Sequence, residues 1–224
     1  MPAMVPFDFT QAEAVAARLH ASPGVHRPSP FSVLLASALP PLDGMRTIDA
    51  GCGAGLVTIA MLAAGAERVV AQDYDPAAVA DTVRNVAEVL GADAAARVER
   101  SATDWRQLDT LEGDLLAVNP PQRPTEMLPA VPPDEVHLHE GGGEDGLDGV
   151  RLVLRHTPTD VVLSTASSLL PGDPAEVSTA LGWGAELVAE RVLHHAEPWW
   201  VVADALDAPV RVWRFTRRRP TRAP

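Results

Sequence analysis

The chain has 224 residues, 46% of them hydrophobic, and a formal net charge of −12. That length is enough for one α/β domain with a sizeable core. The acidic balance argues against broad binding to nucleic-acid phosphates, which normally needs a basic face. No apolar run approaches the roughly 18 residues of a membrane-spanning helix, and the single cysteine excludes an internal disulfide.

The N-terminal residues lack the basic and apolar regions of a secretory signal, so we expect a cytoplasmic protein without membrane contact. All 18 positive charges are arginine, a bias that we attribute to GC-rich coding. Arg217, Arg218, Arg219 and Arg222 define a C-terminal tail at residues 217–224. We expect this tail to be solvated, with an anionic partner as the alternative.

Helices and strands are predicted in chain order from apolar periodicity and from proline and glycine breaks. An N-terminal helical segment occupies residues 1–44, with helices at 11–20 and 30–39. In the domain at residues 45–216, strands are predicted at 45–50, 68–72, 98–101, 115–118, 161–164, 186–193 and 210–215, and helices from the glycine-rich turn to 64 and at 76–90, 145–155 and 174–181. Strands alternating with helices predict a parallel sheet covered on both faces. Ligands of such sheets bind at the carboxyl ends of the strands.

The first motif is a glycine-rich turn between the first strand and its helix, Asp49-Ala50-Gly51-Cys52-Gly53-Ala54-Gly55. Glycines at alternate positions let the backbone turn tightly and approach a ligand without Cβ collisions. N–H groups at the start of the helix favour an anionic group. A dinucleotide fingerprint requires a third glycine three residues after the second, where this chain has Leu56.

The spacing of Gly51, Gly53 and Gly55 after Asp49 resembles motif I of class I S-adenosylmethionine-dependent methyltransferases. The resemblance implies that this turn contacts the amino-acid half of S-adenosylmethionine, with Asp49 near its sulfonium and amino end. S-adenosylhomocysteine is then the product. A Rossmann-like α/β fold is also implied, with a seven-stranded, mostly parallel sheet in which the last strand is antiparallel.

Acidic side chains follow the second and third strands. Asp73 can accept hydrogen bonds from both ribose hydroxyls, and Tyr74 can lie along the adenine or ribose. Asp75 is predicted to cap the next helix, because a proline occupies the first helical position. After strand three the resemblance implies that Asp104 accepts the adenine amino group. Trp105 either flanks the adenine ring or packs in the core.

Strand four ends in Asn119-Pro120-Pro121-Gln122. This stretch resembles the Asn-Pro-Pro-aromatic motif of amino-methylating enzymes, which include protein-glutamine and adenine N-methyltransferases. The side-chain oxygen of Asn119, which also lies beside the cofactor, and the carbonyl of Pro120 can each accept one N–H of a substrate NH₂ group. The nitrogen lone pair then turns towards the methyl group. Both prolines stiffen the loop, and positioning does most of the remaining work.

Gln122 departs from this pattern, which has an aromatic residue at its position. In adenine methyltransferases that aromatic stacks on a flipped base, so its absence argues against a nucleic-acid substrate. We expect Pro121 and Gln122 to contact the acceptor, with Gln122 hydrogen-bonding a polar group.

The segment Glu140–Gly149 resembles the Gly-Gly-x-Asp-Gly-Leu segment of the peptide-chain release factor glutamine methyltransferase family, and its expected role is to return a loop to the sheet. It lacks the ligand spacing of a calcium loop. The resemblance covers residues 25–216, without the longer helical recognition domain of that family. The Val-x-x-Pro segment of single-domain relatives falls at residues 25–28. Four residues in and after it are therefore candidates for substrate contact: His26, Arg27, Ser29 and Phe31.

The function predicted is N-methylation of a small-molecule amine or amide. The alternatives are a protein glutamine amide and carboxyl or oxygen methylation of a metabolite. Nucleic-acid methylation and a non-catalytic binding protein rank lower. No metal is expected, since His137 and His139 lack further ligands nearby; they, the His194-His195 pair and the Trp199-Trp200 pair are predicted to be packing residues. The oligomeric state is not predicted.

Overall fold

The computed structural model describes residues 6–130, 141–194 and 207–218. Seven α-helices lie in these residues: α1 (Phe9–Ala16), α2 (Pro30–Ser37), α3 (Leu56–Ala63), α4 (Pro76–Leu90), α5 (Ala92–Ala95), α6 (Asp148–His156) and α7 (Pro174–Ala180). The strands are β1 (Arg46–Ala50), β2 (Arg68–Asp73), β3 (Val98–Ala102), β4 (Leu115–Val118), β5 (Val161–Ser167), β6 (Trp183–His194) and β7 (Asp207–Arg217). Two 3₁₀ helices span Trp105–Thr110 and Thr125–Ala130. None of the described helices has the length and apolar character needed to span a membrane.

The seven strands form one sheet in the order β3-β2-β1-β4-β5-β7-β6. Strands β1 to β5 pair in parallel, and β7 runs antiparallel to both of its neighbours, β5 and β6. The prediction of six parallel strands and a final antiparallel one is therefore confirmed. The chain leaves β3 at one edge and re-enters beside β1, so the strand order reverses between β1 and β4. The carboxyl ends of these two strands open the crevice in which ligands of such sheets bind.

Apolar residues on the two faces of the sheet belong to two separate core clusters. Because side chains of a strand alternate between faces, Leu115 and Ala117 join the cluster under α1–α3, whereas Leu116 joins the cluster with Trp183 and Phe215. β1 and β4 are buried along almost their whole length. Central strands covered on both faces give the near-continuous apolar runs from which they were predicted.

The N-terminal helices belong to the same core as the sheet. Ala12 and Val15 of α1 and Leu35 of α2 are buried in one cluster with Leu62 of α3. The predicted segment at residues 1–44 therefore packs against the main domain where it is described, and does not form a separate unit.

Several boundaries differ from those predicted, each for a local physical reason. The first helix begins at Phe9, because Asp8 caps it by accepting a hydrogen bond from the Gln11 N–H at 2.8 Å. β5 and β7 are longer than predicted because they pair with each other along polar positions, out to Ser167 opposite Val210. The predicted loop after strand four contains the second 3₁₀ helix.

Arg217 was predicted to begin the solvated tail, but it is the last residue of β7. Its guanidinium lies 4.4 Å from the ring centroid of Trp183 and 3.2 Å from Asp160 Oδ1. That arginine holds the end of the sheet in place. Arg219 and Arg222 lie outside the described residues, so the rest of the tail prediction stays a prediction.

Candidate active site

The glycine loop (residues 51–55) adopts a backbone that requires its glycines. Gly51, Gly53 and Gly55 have φ angles of 78°, 51° and 89°, values that other residues rarely adopt. A Cβ on Gly53 would lie 3.0 Å from the carbonyl oxygen of His26, and one on Gly51 would lie 3.2 Å from Cζ2 of Trp105. The loop thus lies between two close neighbours, and α3 begins only after it, at Leu56.

The N–H groups of the glycine loop point towards β2. Those of Gly51 and Cys52 donate to the carbonyl oxygen of Gln72 at 2.8 and 2.9 Å, and that of Gly53 donates to Asp73 Oδ2 at 3.0 Å. These three N–H groups are therefore satisfied within the protein, and the preference of the N–H groups at the helix start for an anionic group stays a prediction. The positive φ angles turn the backbone so that the adjacent strand satisfies the donors internally.

The carbonyl groups of the glycine loop are held from the other side by α4. Thr82 Oγ1 donates to the Gly53 oxygen at 3.0 Å, and Asn85 Nδ2 donates to the Ala54 oxygen at 2.8 Å. Asn85 also bonds both backbone groups of His20. One buried amide therefore fixes the glycine loop and the cover segment (residues 20–29) that runs over it.

Asp49 is the last polar residue of β1 and is almost fully buried beneath the glycine loop. Burial raises the pKa of its carboxyl to about 7, against the hydrogen bonds that it accepts from Thr58, whose hydroxyl lies at 2.6 Å. The nearby charge of Asp73 raises the pKa further. A carboxyl of this kind is poised to ionise when a cation comes beside it.

Asp73 ends β2, the strand that pairs with the strand of Asp49. Its carboxylate accepts hydrogen bonds from the N–H groups of Gly53 (3.0 Å) and Asp75 (3.1 Å), and burial raises its pKa. Asp75 caps α4 as predicted, accepting the Ala77 N–H at 2.8 Å. Tyr74 is 63% exposed, so its ring is available at the rim.

Asp104 and Trp105 follow β3 and have different surroundings. Asp104 is exposed, caps the first 3₁₀ helix through the Arg106 N–H at 2.8 Å, and pairs with the Arg106 guanidinium. Trp105 packs against the core cluster beneath α6 and also approaches Gly51 and Gly149. The ring therefore packs against the core, which is one of the two predicted alternatives, and it lies beside the glycine loop; that it flanks an adenine stays a prediction.

Gln72 is a positioning residue that the sequence did not reveal. It is fully buried at the end of β2; its Oε1 accepts the Gly51 N–H at 3.3 Å, and its Nε2 donates to the Thr103 carbonyl. The side chain thus joins the glycine loop to the loop after β3. The available signal was a glutamine within an otherwise apolar strand, directly before Asp73.

Asn119 stands at the carboxyl end of β4, across the switch point from Asp49. Its Nδ2 donates to Ser32 Oγ at 3.0 Å and to Ser29 Oγ at 3.3 Å. Its Oδ1 accepts the Thr165 hydroxyl at 2.6 Å. One cleft joins this asparagine to the glycine loop and the cover segment; its lining is His26, Arg27, Pro28, Ser32, Asp49, residues 51–57 and Asn119.

Gln122 was expected to face the acceptor, but its side chain points into the protein. The residue is 5% exposed; Oε1 accepts the Ser167 N–H at 2.8 Å, and Nε2 donates to Thr165 Oγ1 at 3.3 Å. Nε2 also lies 3.5 Å from the Pro120 oxygen. Polar groups of β5 bind the Gln122 amide inside the protein. The Gln122 side chain would have to reorient to contact a methyl acceptor.

The remaining residues that were predicted to contact the methyl acceptor differ in their relation to the cleft. His26 and Arg27 line it, with Arg27 exposed at its rim. Ser29 caps α2, and its hydroxyl accepts a hydrogen bond from Asn119 Nδ2. Ser29 therefore contacts a site residue and is not itself part of the cleft lining. Phe31 packs partly against the core. Pro121 is half-buried beside Gly149.

Other residues singled out in the sequence lie away from the cleft or outside the described residues. His194 is exposed and pairs with Asp207 at 2.9 Å. Beyond the described residues lie His137, His139, Glu140, His195, Trp199 and Trp200. Among residues 6–130, 141–194 and 207–218, no cluster of His, Cys, Asp and Glu could hold a metal.

The chain is similar to known methyltransferases in sequence over part of its length and in its fold. The family model described as ribosomal protein L11 methyltransferase (PrmA) matches residues 35–118, the stretch from α2 through β4. No curated protein sequence matches the chain.

Solved structures share the fold over most of their length. The Mtq2–Trm112 complex of E. cuniculi, which methylates the eRF1 termination factor, is 17% identical with a TM-score of 0.56; the alignment covers 87% of this chain and 99% of that one. A precorrin-6y C5,15-methyltransferase from Geobacter metallireducens is 16% identical with a TM-score of 0.54, over 90% and 95%. The magnesium protoporphyrin IX methyltransferase of Synechocystis, with bound S-adenosylhomocysteine, is 15% identical with a TM-score of 0.50, over 93% and 83%. The predicted Rossmann-like class I methyltransferase fold is confirmed.

Proposed function

We propose that this chain, a class I S-adenosylmethionine-dependent methyltransferase, methylates a nitrogen of a small-molecule amine or amide. The observation that carries the proposal is the position of Asn119. Its side-chain amide stands at the end of β4, in the same cleft as the glycine loop and the buried Asp49. Hydrogen-bond acceptors are thereby placed beside the expected position of the methyl group.

The residues around the glycine loop fit the cofactor. The glycines leave room where a Cβ would collide with His26 or Trp105, and two buried carboxyls, Asp49 and Asp73, end adjacent strands. We assign Asp49 to the amino-acid end and Asp73 to the ribose hydroxyls, with Tyr74 and Trp105 as walls. The Asp104 carboxylate already caps its 3₁₀ helix. It can therefore bind the adenine amino group only if it accepts both hydrogen bonds at once. When bound, S-adenosylmethionine supplies an electrophilic methyl group on its sulfonium.

Asn119 and Pro120 orient the acceptor. Each carbonyl oxygen has two lone pairs, so Asn119 Oδ1 can accept a substrate N–H while it also accepts the Thr165 hydroxyl. Among the described residues, the Pro120 oxygen has only the long 3.5 Å contact with Gln122, so it can accept the second N–H. An NH₂ group held by two acceptors turns its lone pair out of the N–H plane, towards the methyl group. With the cofactor bound, the new N–C bond would form as the methyl–sulfur bond breaks; S-adenosylhomocysteine would leave, and the nitrogen would release one proton to water.

The hydrogen-bonding chemistry of Asn119 and Pro120 ranks the alternative substrates of methylation. A carboxylate needs donors, whereas Asn119 Oδ1 and the Pro120 carbonyl offer only lone pairs, which disfavours carboxyl methylation. A glutamine amide on a protein presents the same NH₂ group and is the second candidate, favoured by the fold that the chain shares with the Mtq2 complex. The cover segment over the cleft favours a small acceptor.

Transfer of labelled methyl groups tests the proposal. The protein is incubated with methyl-labelled S-adenosylmethionine and cell extract, and proteins are then separated from small molecules. We expect label in an N-methylated small molecule, and no label when Asn119 is replaced by alanine, although that variant binds S-adenosylhomocysteine within a few fold of the wild type. Undiminished turnover by Asn119→Ala would contradict the nitrogen assignment, and label in protein would select the second candidate.

A further inference from the structure

A continuous chain of hydrogen bonds runs through the base of the cleft to Asn119. The backbone N–H of Ser167 donates to Gln122 Oε1 at 2.8 Å, and Gln122 Nε2 donates to Thr165 Oγ1 at 3.3 Å. Thr165 Oγ1 lies 2.6 Å from Asn119 Oδ1. Beyond Asn119, the chain ends on the hydroxyls of Ser29 and Ser32.

The first of these hydrogen bonds fixes which atoms donate and which accept along the whole series. A backbone N–H can only donate, so the atom of Gln122 that faces Ser167 must be the oxygen. The amide nitrogen of Gln122 then faces Thr165 and donates a hydrogen bond to its hydroxyl oxygen. The hydroxyl proton of Thr165 therefore points to Asn119, and the atom of Asn119 that receives it must be Oδ1.

The reversed orientation of Asn119 would break this pattern. Two amide nitrogens would then converge on Thr165 Oγ1, and the hydroxyl proton would have no acceptor among the described residues. A buried donor without a partner costs roughly 1–3 kcal/mol. At the far end, the N–H of Ser32 donates to Ser29 Oγ, which keeps both serine hydroxyls beside Asn119 Nδ2.

We propose that Gln122 and Thr165 are positioning residues that fix the Asn119 side-chain amide with its oxygen available to the acceptor. The inference rests on the proposed function, because it assigns Asn119 Oδ1 to a substrate N–H. It also gives a role to the residue that departs from the Asn-Pro-Pro-aromatic pattern. Gln122 acts from beneath the site, through Thr165, without touching the acceptor.

The chemical consequence is a stronger acceptor with a fixed direction. Both N–H groups of the Asn119 amide are taken by serine hydroxyls, and hydrogen bonds in series polarise one another. One lone pair of Oδ1 is used by Thr165, and one is left. A substrate NH₂ group therefore meets a pre-aimed Asn119 oxygen for one of its two N–H groups, which is the condition for efficient positioning.

A matched pair of variants at Thr165 tests the proposal. Thr165→Val keeps the size of the side chain and removes the hydroxyl, whereas Thr165→Ser keeps the hydroxyl and removes the methyl group. We expect Thr165→Val to lower kcat for methyl transfer about tenfold or more, with S-adenosylhomocysteine affinity within about threefold of the wild type. Thr165→Ser should retain most of the activity. Equal loss in both variants would show that Thr165 contributes packing alone and would overturn the proposal.

An NMR measurement separates this proposal from the proposed function. The side-chain amide signals of ¹⁵N-labelled Asn119 are identified by their absence in Asn119→Asp. We expect them to shift and broaden in Thr165→Val and in Gln122→Met, and to keep their positions in Thr165→Ser. Unchanged signals in Thr165→Val would overturn the positioning role, whatever the activity. If Asn119→Ala transfers methyl normally, the proposed function fails, and the amide signals alone decide whether Thr165 orients Asn119.

Discussion

Asn85 of α4 and His20 of the cover segment bond each other in both directions. The His20 N–H donates to Asn85 Oδ1 at 3.0 Å, and Asn85 Nδ2 donates to the His20 carbonyl at 2.7 Å. The second proton of the same Nδ2 goes to the Ala54 carbonyl in the glycine loop. A fully buried amide therefore ties together three segments that are distant in the sequence.

Asn85→Ala should destabilise the protein and weaken cofactor binding together. The change leaves the backbone groups of His20 and Ala54 without their partner, and an unsatisfied buried polar group costs roughly 1–3 kcal/mol. We expect the free energy of unfolding to fall by about 3 kcal/mol or more, measured in urea, and S-adenosylhomocysteine affinity to fall at least about tenfold. Glu88→Ala, on the exposed side of α4, is the control and should change stability by less than about 0.5 kcal/mol. Equal effects of the two changes would contradict the bridging role of Asn85.

The buried carboxyl of Asp49 should make the free protein less stable as the pH rises. Its pKa is raised to about 7 in the folded protein, and an unfolded aspartate titrates near 3.9. Between those values the folded state holds a proton that the unfolded state has released, so stability decreases with increasing pH. We expect a loss of about 2–3 kcal/mol between pH 5 and pH 8, measured by urea unfolding. Asp49→Asn should flatten this slope, and a slope as steep as that of the wild type would place its origin elsewhere.

Asp73→Ala should weaken binding of S-adenosylhomocysteine without abolishing the fold. Hydrogen bonds to a charged acceptor contribute about 1.5–3 kcal/mol, so we expect affinity to fall about 10- to 150-fold, measured by calorimetric titration. Asp75→Asn is the matched control, because asparagine caps a helix about as well as aspartate and removes one charge from the same turn. Unchanged affinity in Asp73→Ala, or an equal loss in both variants, would contradict the ribose assignment. NAD, titrated in parallel, should not bind.

The parts of the molecule that the sequence predicted depend on local patterns. The strands were visible because buried central strands are continuous apolar runs, and the glycine loop was visible because only glycine adopts its backbone. The roles of Gln72, Asn85 and Gln122 were not visible, since each depends on partners far along the chain; Asn85 and His20 are 65 residues apart. Sequence spacing alone cannot say whether a polar side chain such as Gln122 points to a ligand or to a neighbouring strand.

Gly142 should tolerate no side chain, because it lies against the backbone that follows the Asn-Pro-Pro motif. A Cβ there would fall 1.9 Å from the Arg123 carbonyl oxygen, and no side-chain rotation relieves a clash with the main chain. The Gly142 carbonyl also accepts the Asp148 N–H at 3.2 Å, and its neighbour Gly143 accepts the Thr125 N–H at 2.7 Å. The backbone of Gly142 and Gly143 therefore packs against residues 123–125, the loop that directly follows Gln122.

Gly142→Ala should displace that loop and lower both stability and methyl transfer. Gly141→Ala is the matched control, because its φ of 91° is unfavourable for alanine but a Cβ there meets no atom within 4 Å. We expect a cost of about 1–2 kcal/mol for Gly141→Ala, with kcat retained, and a larger loss of stability with at least about a tenfold fall in kcat for Gly142→Ala. Urea unfolding and the labelled methyl-transfer assay measure the two effects. Equal loss of stability with normal kcat in both variants would mean that the backbone contact does not support the acceptor loop.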